Sequence, residues 1–449
     1  MKRLSAFVVA LAAIALVLPS PAAAQSLTED VLANLSYREL GPTRQSGRFV
    51  DIAVPTDDPH TFYMATASGH LWKTTNRGIS FDVLFDEQPD VFSIGAIAVA
   101  PSNSNVLYLG SGEGNNSRSS YWGNGIYKST DAGETWTNVG LPESQHIGRI
   151  VVHPTNPDVA YVASLGPLYS EGGERGLYKT TNGGRSWDRV LNHRSEGRDI
   201  GVVDVVMDPT DPNTLYAATY DKVRLPFTFD LGGPGSRLFK TTDGGDNWIQ
   251  IGQGLPEGML GRIGVDVYHR DPNILYVTIE NANKEGMSEE ERRQELLEHR
   301  SSRGMIGGEV YRSDDAGLNW RKVSPDGESV GGGPAYYYGQ IIIDPNDADV
   351  VYVLSARSWV TRNGGDTWER PDWYDQPTGR FGGDDHALWI DPDDSRHMIL
   401  GYDHGMGVSY DGGDRWYHPD FQSLAQFYAV GIDNSYPYRI AGGLQDNGS

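Results

Sequence analysis

The chain has 449 residues, no cysteine and a formal net charge of −23. These facts exclude disulfides, thiolate metal sites and a cysteine nucleophile, and they argue against nucleic acid or an anionic membrane as partner. The 55 glycines and 25 prolines stand beside 11 Trp, 24 Tyr and 12 Phe, an aromatic content foreign to a disordered chain.

At the N-terminus Lys2 and Arg3 precede an apolar run from Ala6 to Leu18, followed by Pro19, Pro21 and the small residues Ala22, Ala23 and Ala24. The pattern predicts a secretory signal peptide over residues 1–24, cleaved after Ala24. The run is too short for a stable membrane span, and no later stretch approaches the roughly 20 apolar residues that a spanning helix needs. An exported protein, periplasmic or extracellular and without membrane insertion, is expected; loss of Lys2 and Arg3 makes it still more acidic.

From residue 25 onward one pattern organises the chain, Ser/Thr-x-Asp/Asn-x-Gly-x-x-Trp/Phe. Its seven copies run from Thr74 to Phe81, Ser129 to Trp136, Thr180 to Trp187, Thr241 to Trp248, Ser313 to Trp320, Thr361 to Trp368 and Ser409 to Trp416. Their closing aromatics lie 55, 51, 61, 72, 48 and 48 residues apart, the spacing of propeller blades. Before each copy, apolar runs rich in β-branched residues flank Pro/Asx turns, as in Ile150-Val151-Val152, the turn His153 to Pro157, and Val159 to Val162. Each unit reads as strand A, tight turn, strand B, variable loop, strand C, Asp-box turn and strand D. The fold predicted for residues 25–424 is therefore all-β, a propeller of about seven four-stranded Asp-box blades.

The box residues have structural reasons. The Asp or Asn accepts backbone N–H groups, the Gly supplies a left-handed position, and the aromatic packs against a neighbouring blade. Between the strands near Leu275 and Val310, Ser288 to Glu291 forms a capping box that opens a short helix over residues 288–301. After the seventh box, Phe427 to Ile432 and Tyr438 to Gly442 read as strands A and B of a further blade in residues 425–449; the expectation is a fragment of a longer protein, the alternative being that these strands close the ring with the N-terminal segment Leu35 to Leu40.

Chemistry in a propeller gathers on the face where B to C loops and D to A crossings converge on the central channel. Three crossings deliver Gly-Arg before strand A, placing Arg48, Arg149 and Arg262 near the axis as candidates for clamping an anionic group, or for pairing with acids along the strand edge. A second group combines Asp384, Asp385 and His386 with Asp403 and His404, joined by Glu113, Arg118 and His146. Such carboxylates and imidazoles suit a hard cation or acid/base work. The stretch Asp344 to Asp349 resembles a calcium loop, but it lacks the sixth-position Gly and has Ser355 where the bidentate Glu belongs. No Walker loop, His-Glu-x-x-His or Gly-x-Ser-x-Gly motif occurs, so no cofactor is expected.

The segment Lys179 to Trp187 and its siblings resemble the BNR/Asp-box repeats of sortilin-type propellers, a superfamily that includes xyloglucanase-type glycoside hydrolases of family 74. The stretches Glu39 to Pro42, Asp385 to Pro392 and Gly443 to Ser449 are similar to a group of large exported bacterial proteins labelled sortilin N-terminal-like or glycosyl hydrolase. In family 74 a catalytic Asp lies on the second strand of the first blade; the matching stretch Ala65 to His70 places Ala67 there, and the partner acid lies in a second propeller. Glycoside hydrolysis normally needs both carboxylates. The resemblance thus implies a binding propeller without catalytic residues, taking a peptide, protein or glycan on its channel face. The alternative is a glycoside hydrolase built on Asp385 with Asp403 or Glu113. Photosystem II assembly propellers share the architecture alone.

Overall fold

The computed structural model describes residues 48–444, apart from breaks at 89, 92, 118–119, 226–227, 285–304, 332–334, 376–381, 420–423 and 425–426. The signal peptide, the helix expected over residues 288–301 and the segment after Leu444 lie outside the described residues.

Seven antiparallel sheets follow one another along the chain, each built from one continuous segment. The first has strands A to D at Phe49–Ala53, Phe62–Thr66, Leu71–Thr74 and Asp82–Leu84, and the third at Ile147–Val152, Ala160–Ser164, Gly176–Thr180 and Asp188–Leu191. The B strands Phe62–Thr66, Ala160–Ser164, Leu215–Tyr220 and Met398–Tyr402 are buried at every position. That is why their sequences lack polar alternation: both faces of a blade are covered by its neighbours.

Two departures from four strands have local causes. In the sixth and seventh blades strand D shrinks to single bridges, Val360 with Glu369 and Val408 with Tyr417. Pro371 and Pro419 follow two residues later, and proline has no N–H to extend the ladder. The fourth blade instead gains an inner-edge strand, His193–Ser195, and carries in its B to C loop a hairpin of Val223–Leu225 with Thr228–Asp230.

Each Asp box is a hydrogen-bonded turn. In the third, Gly184 N–H donates to Thr180 Oγ1 at 2.9 Å and Ser186 N–H donates to Asn182 Oδ1 at 3.0 Å. The turn needs two consecutive left-handed residues, Gly183 at φ 73° and Gly184 at φ 90°. In the second and fifth boxes Ala132 and Ala316 occupy the first of these positions. Their carbonyls serve the neighbouring blade: Tyr63 and Lys73 donate to Ala132, and Tyr216 and Lys240 to Ala316, at 2.8–3.1 Å.

Toward the axis, inner-strand aspartates join adjacent blades. Asp51 accepts Ile97 N–H at 2.9 Å, Asp204 accepts Val265 N–H at 3.2 Å, and Asp266 accepts Ile343 N–H at 2.8 Å. The ring closes where Phe49, Phe62, Met64 and Trp72 of the first blade pack on Ile399, Met406 and Val408 of the seventh and on Leu424. Beyond this seam, Phe427–Ile432 pairs with Ile440–Leu444 as a separate two-stranded sheet, with Tyr428, Val430 and Ile432 exposed.

Candidate functional site

The crossings and B to C loops bring side chains from five blades together beneath the channel face. Arg48, immediately before the first strand A, forms a bidentate ion pair with Glu113 of the second blade, Nε to Oε1 at 3.0 Å and Nη2 to Oε2 at 2.8 Å, both side chains fully buried. Burial lowers the guanidinium's pKa, but Glu113, Tyr337 and Asp403 together raise it further, so the net shift is upward. Asn115 Nδ2 donates to Glu113 Oε1 at 3.2 Å and lies 3.4 Å from His386 Nδ1, while Arg262 Nη1 donates to Asn115 Oδ1 at 3.0 Å.

His386, opening strand A of the seventh blade, meets Asp403 through Nε2 at 2.6 Å. Burial, reinforced by Arg48, depresses its pKa to about 4, so at neutral pH the imidazole is uncharged and donates Nε2–H to Asp403. Tyr338 stacks on His386 with ring centres 5.0 Å apart, Tyr337 meets it edge-on, and the Tyr338 hydroxyl donates to Asp384. His146 Nδ1 donates to the Glu113 carbonyl at 2.8 Å; burial, and then the charge of Lys222, holds it at about 3.

The structure thus joins Arg48, Glu113, His146, Arg262, Asp384, His386 and Asp403, but as a network satisfied from within. The arginine trio does not form an open anion clamp: Arg48 is held by Glu113, Arg149 by Asp204 at 2.9 Å, and Arg262 by Asn115. Asp385 is a second correction. It is fully buried against the sixth blade, accepting Ser358 Oγ and Tyr374 OH at 2.6 Å each, Gly383 N–H at 2.9 Å and Trp373 Nε1–H at 3.3 Å. His404 is half-buried with its ring 4.7 Å from Tyr402, and Arg118 lies outside the described residues. Among the described residues no three His, Asp or Glu side chains converge in a way that would hold a metal ion.

Sequence reasoning missed the roof over this network. The hairpin Val223–Asp230 crosses the channel: Arg224 Nη1 donates to the Asn116 carbonyl at 2.9 Å, and Phe229 packs edge-on against Tyr336, ring centres 4.7 Å apart. Asn116 N–H donates to the Tyr336 carbonyl at 3.0 Å, tying the second blade's loop to the entry of the sixth blade. Beside the roof lies a cavity of about 570 Å³, walled by Tyr121, Trp122, His146, Leu168, Tyr169 and Tyr428 among others. Trp122 is 69% exposed, Tyr169 44% and Tyr428 71%.

Fold and site together define a seven-bladed Asp-box propeller whose axial polar residues are mutually engaged and whose channel-face rim is aromatic. The Sortilin-Vps10 family model, described as sortilin, neurotensin receptor 3, matches residues 124–300. The oligoxyloglucan-reducing end-specific xyloglucanase of Emericella nidulans is 24% identical over 399 residues, covering 78% of this chain and 43% of that protein. Xyloglucanase Xgh74A of Acetivibrio thermocellus is 24% identical over 311 residues, covering 62% and 32%. Among solved structures, the Niastella koreensis GH74 enzyme superposes with a TM-score of 0.58 at 20% identity, over 90% of this chain and 60% of that one. YCF48 from Cyanidioschyzon merolae gives 0.51 at 13% identity, over 82% and 97%. By these matches the chain is similar to sortilin-type propellers over residues 124–300 and to the GH74 xyloglucanases over most of its length, and it shares the propeller fold of the GH74 structures. The chain spans less than half the length of these curated relatives.

Proposed function

We propose that the chain is an exported glycan-binding propeller without hydrolytic residues of its own, its ligand lying on the channel-face rim. The observation that carries this reading is the exposed trio Trp122, Tyr169 and Tyr428 around the cavity of about 570 Å³. Aromatic side chains left in water at a concave surface mark an interaction site, and their flat apolar faces suit the C–H faces of sugar rings. The xyloglucanase relatives support a sugar as ligand.

The competing hydrolase reading needs a free acid and a free base. Asp385 accepts four donors, Glu113 is locked by Arg48, and Asp403 is engaged by His386. Ala67, where the family resemblance places a catalytic Asp, is buried, and its N–H donates to the Arg48 carbonyl at 2.9 Å.

Binding of xyloglucan and cello-oligosaccharides, measured by calorimetry on the wild type and on Trp122→Ala/Tyr169→Ala, tests the proposal. The double variant is expected to lose about tenfold or more in affinity with its melting temperature unchanged, an effect of the size of one lost aromatic contact. Unaltered affinity sinks the rim as the site. Glycan cleavage that disappears in Asp385→Asn restores the hydrolase.

A further inference from the structure

On the same face, a cavity of about 300 Å³ between the third and fourth blades departs from the acidic character of the chain: five cationic side chains and three carboxylates line it. Two of the carboxylates are already engaged. Asp199 is held by Arg189 at 2.9 Å and Arg194 at 3.1 Å, and Asp221 by Arg198 at 3.1 Å and Gly235 N–H at 3.0 Å. Glu171 is exposed at the edge.

Three cations have no carboxylate partner among the described residues. Arg175 donates to the backbone carbonyls of Leu165, Pro167, Ser170 and Gly172. Arg224 donates to the Asn116 carbonyl and lies over the Phe229 ring, 4.5 Å from its centre. Lys222, half-buried between them in sequence and charge, has neither kind of partner. Burial, with Arg175 and Arg224 adding repulsion, holds its ammonium well below the usual lysine range. Like charges gathered in a partly buried pocket repel, so an anion placed among them is electrostatically favourable.

Leu168, Tyr169 and Ser170 line both this cavity and the aromatic one, so one ligand can occupy the two. We propose that the joined cavities take an acidic glycan, the carboxylate of a uronic acid residue sitting among Lys222, Arg175 and Arg224 and a neighbouring ring stacking on Tyr169. This rests on the glycan-binding reading above and adds the charge of the ligand. A sugar is favoured over an acidic peptide because the pocket continues past Tyr169 into the aromatic rim, where the exposed flat faces of Trp122, Tyr169 and Tyr428 suit sugar rings.

Calorimetric titration of the full chain with trigalacturonate, a neutral xyloglucan heptasaccharide and a triglutamate peptide tests it. Trigalacturonate is expected to bind about tenfold tighter than the neutral sugar, and to weaken about fivefold or more in Lys222→Gln and again in Arg224→Gln, as charge-assisted contacts are removed. Raising salt to about 0.3 M should weaken it further. Melting curves establish that both variants are folded. Equal affinity for the two sugars, unaltered in Lys222→Gln, overturns the acidic preference while leaving glycan binding standing. Triglutamate bound as tightly as trigalacturonate, and lost in Lys222→Gln, overturns the sugar in favour of a peptide. If neither sugar binds, both readings fall.

Discussion

Asp385 and His386 are neighbours in sequence with opposite duties. In an extended strand successive side chains point to opposite faces, so once His386 enters the axial network, Asp385 must turn into the contact with the sixth blade. The sequence run Gly382 to His386 marks this crossing as polar, but it does not say which carboxylate faces the axis; the partners Ser358, Trp373 and Tyr374 lie 11 to 27 residues away. Asp385→Ala leaves buried donors without an acceptor, and a loss of roughly 3–5 kcal/mol in denaturant unfolding is expected; a loss below about 1 kcal/mol would contradict this placement. Glu280 makes a pH-dependent prediction. Burial raises its pKa to about 7, so the folded chain keeps the proton longer than the unfolded chain does. The sign follows from linkage: this contribution is fully present below about 4.5 and is lost as pH rises toward 7. Glu280→Gln should therefore melt above the wild type at pH 8 and converge with it near pH 4.5. His146 and His386, depressed to about 3 and 4, act oppositely in both proteins, so the comparison isolates Glu280.

At the scale of the element, the blade was legible and its exceptions were not. The box pattern and the Pro/Asx turns locate strands A to C throughout, because they depend on local hydrogen bonds and on φ. The blade pattern predicts only a variable B to C loop where the roof hairpin stands, because its strands are three residues each; what holds them is Asn116 and Tyr336, more than 100 residues away in sequence. The box aromatics also divide in a way the pattern conceals. Trp136, Trp320 and Trp416 donate to the glycine carbonyl of their own turn, whereas Trp187 donates across to Val139 of the second blade at 2.8 Å, and Trp368 to Val323 at 2.9 Å. Trp187→Phe is thus expected to cost about 1 kcal/mol for the bond between blades, and Trp187→Ala roughly 3 kcal/mol. Trp136→Phe should cost no less than Trp187→Phe in equilibrium stability, but only Trp187→Phe should raise amide exchange in the second blade's strand Thr137–Gly140.

At the scale of the molecule, seven sheets form a ring closed by side chains. The seam between first and seventh blades is made of the same materials as every other blade contact, with Phe49 Cβ within 2.9 Å of where a Cβ on Gly401 would stand. Phe49→Ala should therefore destabilise by roughly 3–5 kcal/mol, as a core cavity does elsewhere, and urea titration followed by intrinsic fluorescence measures it. Among the described residues no sheet borrows a strand across the seam, so any cyclic order of these blades along the chain builds the same sheets. A circular permutant that starts at the second blade and joins the seventh to the first by a linker keeps every sheet whole, so the position of the chain ends is a free variable of this architecture.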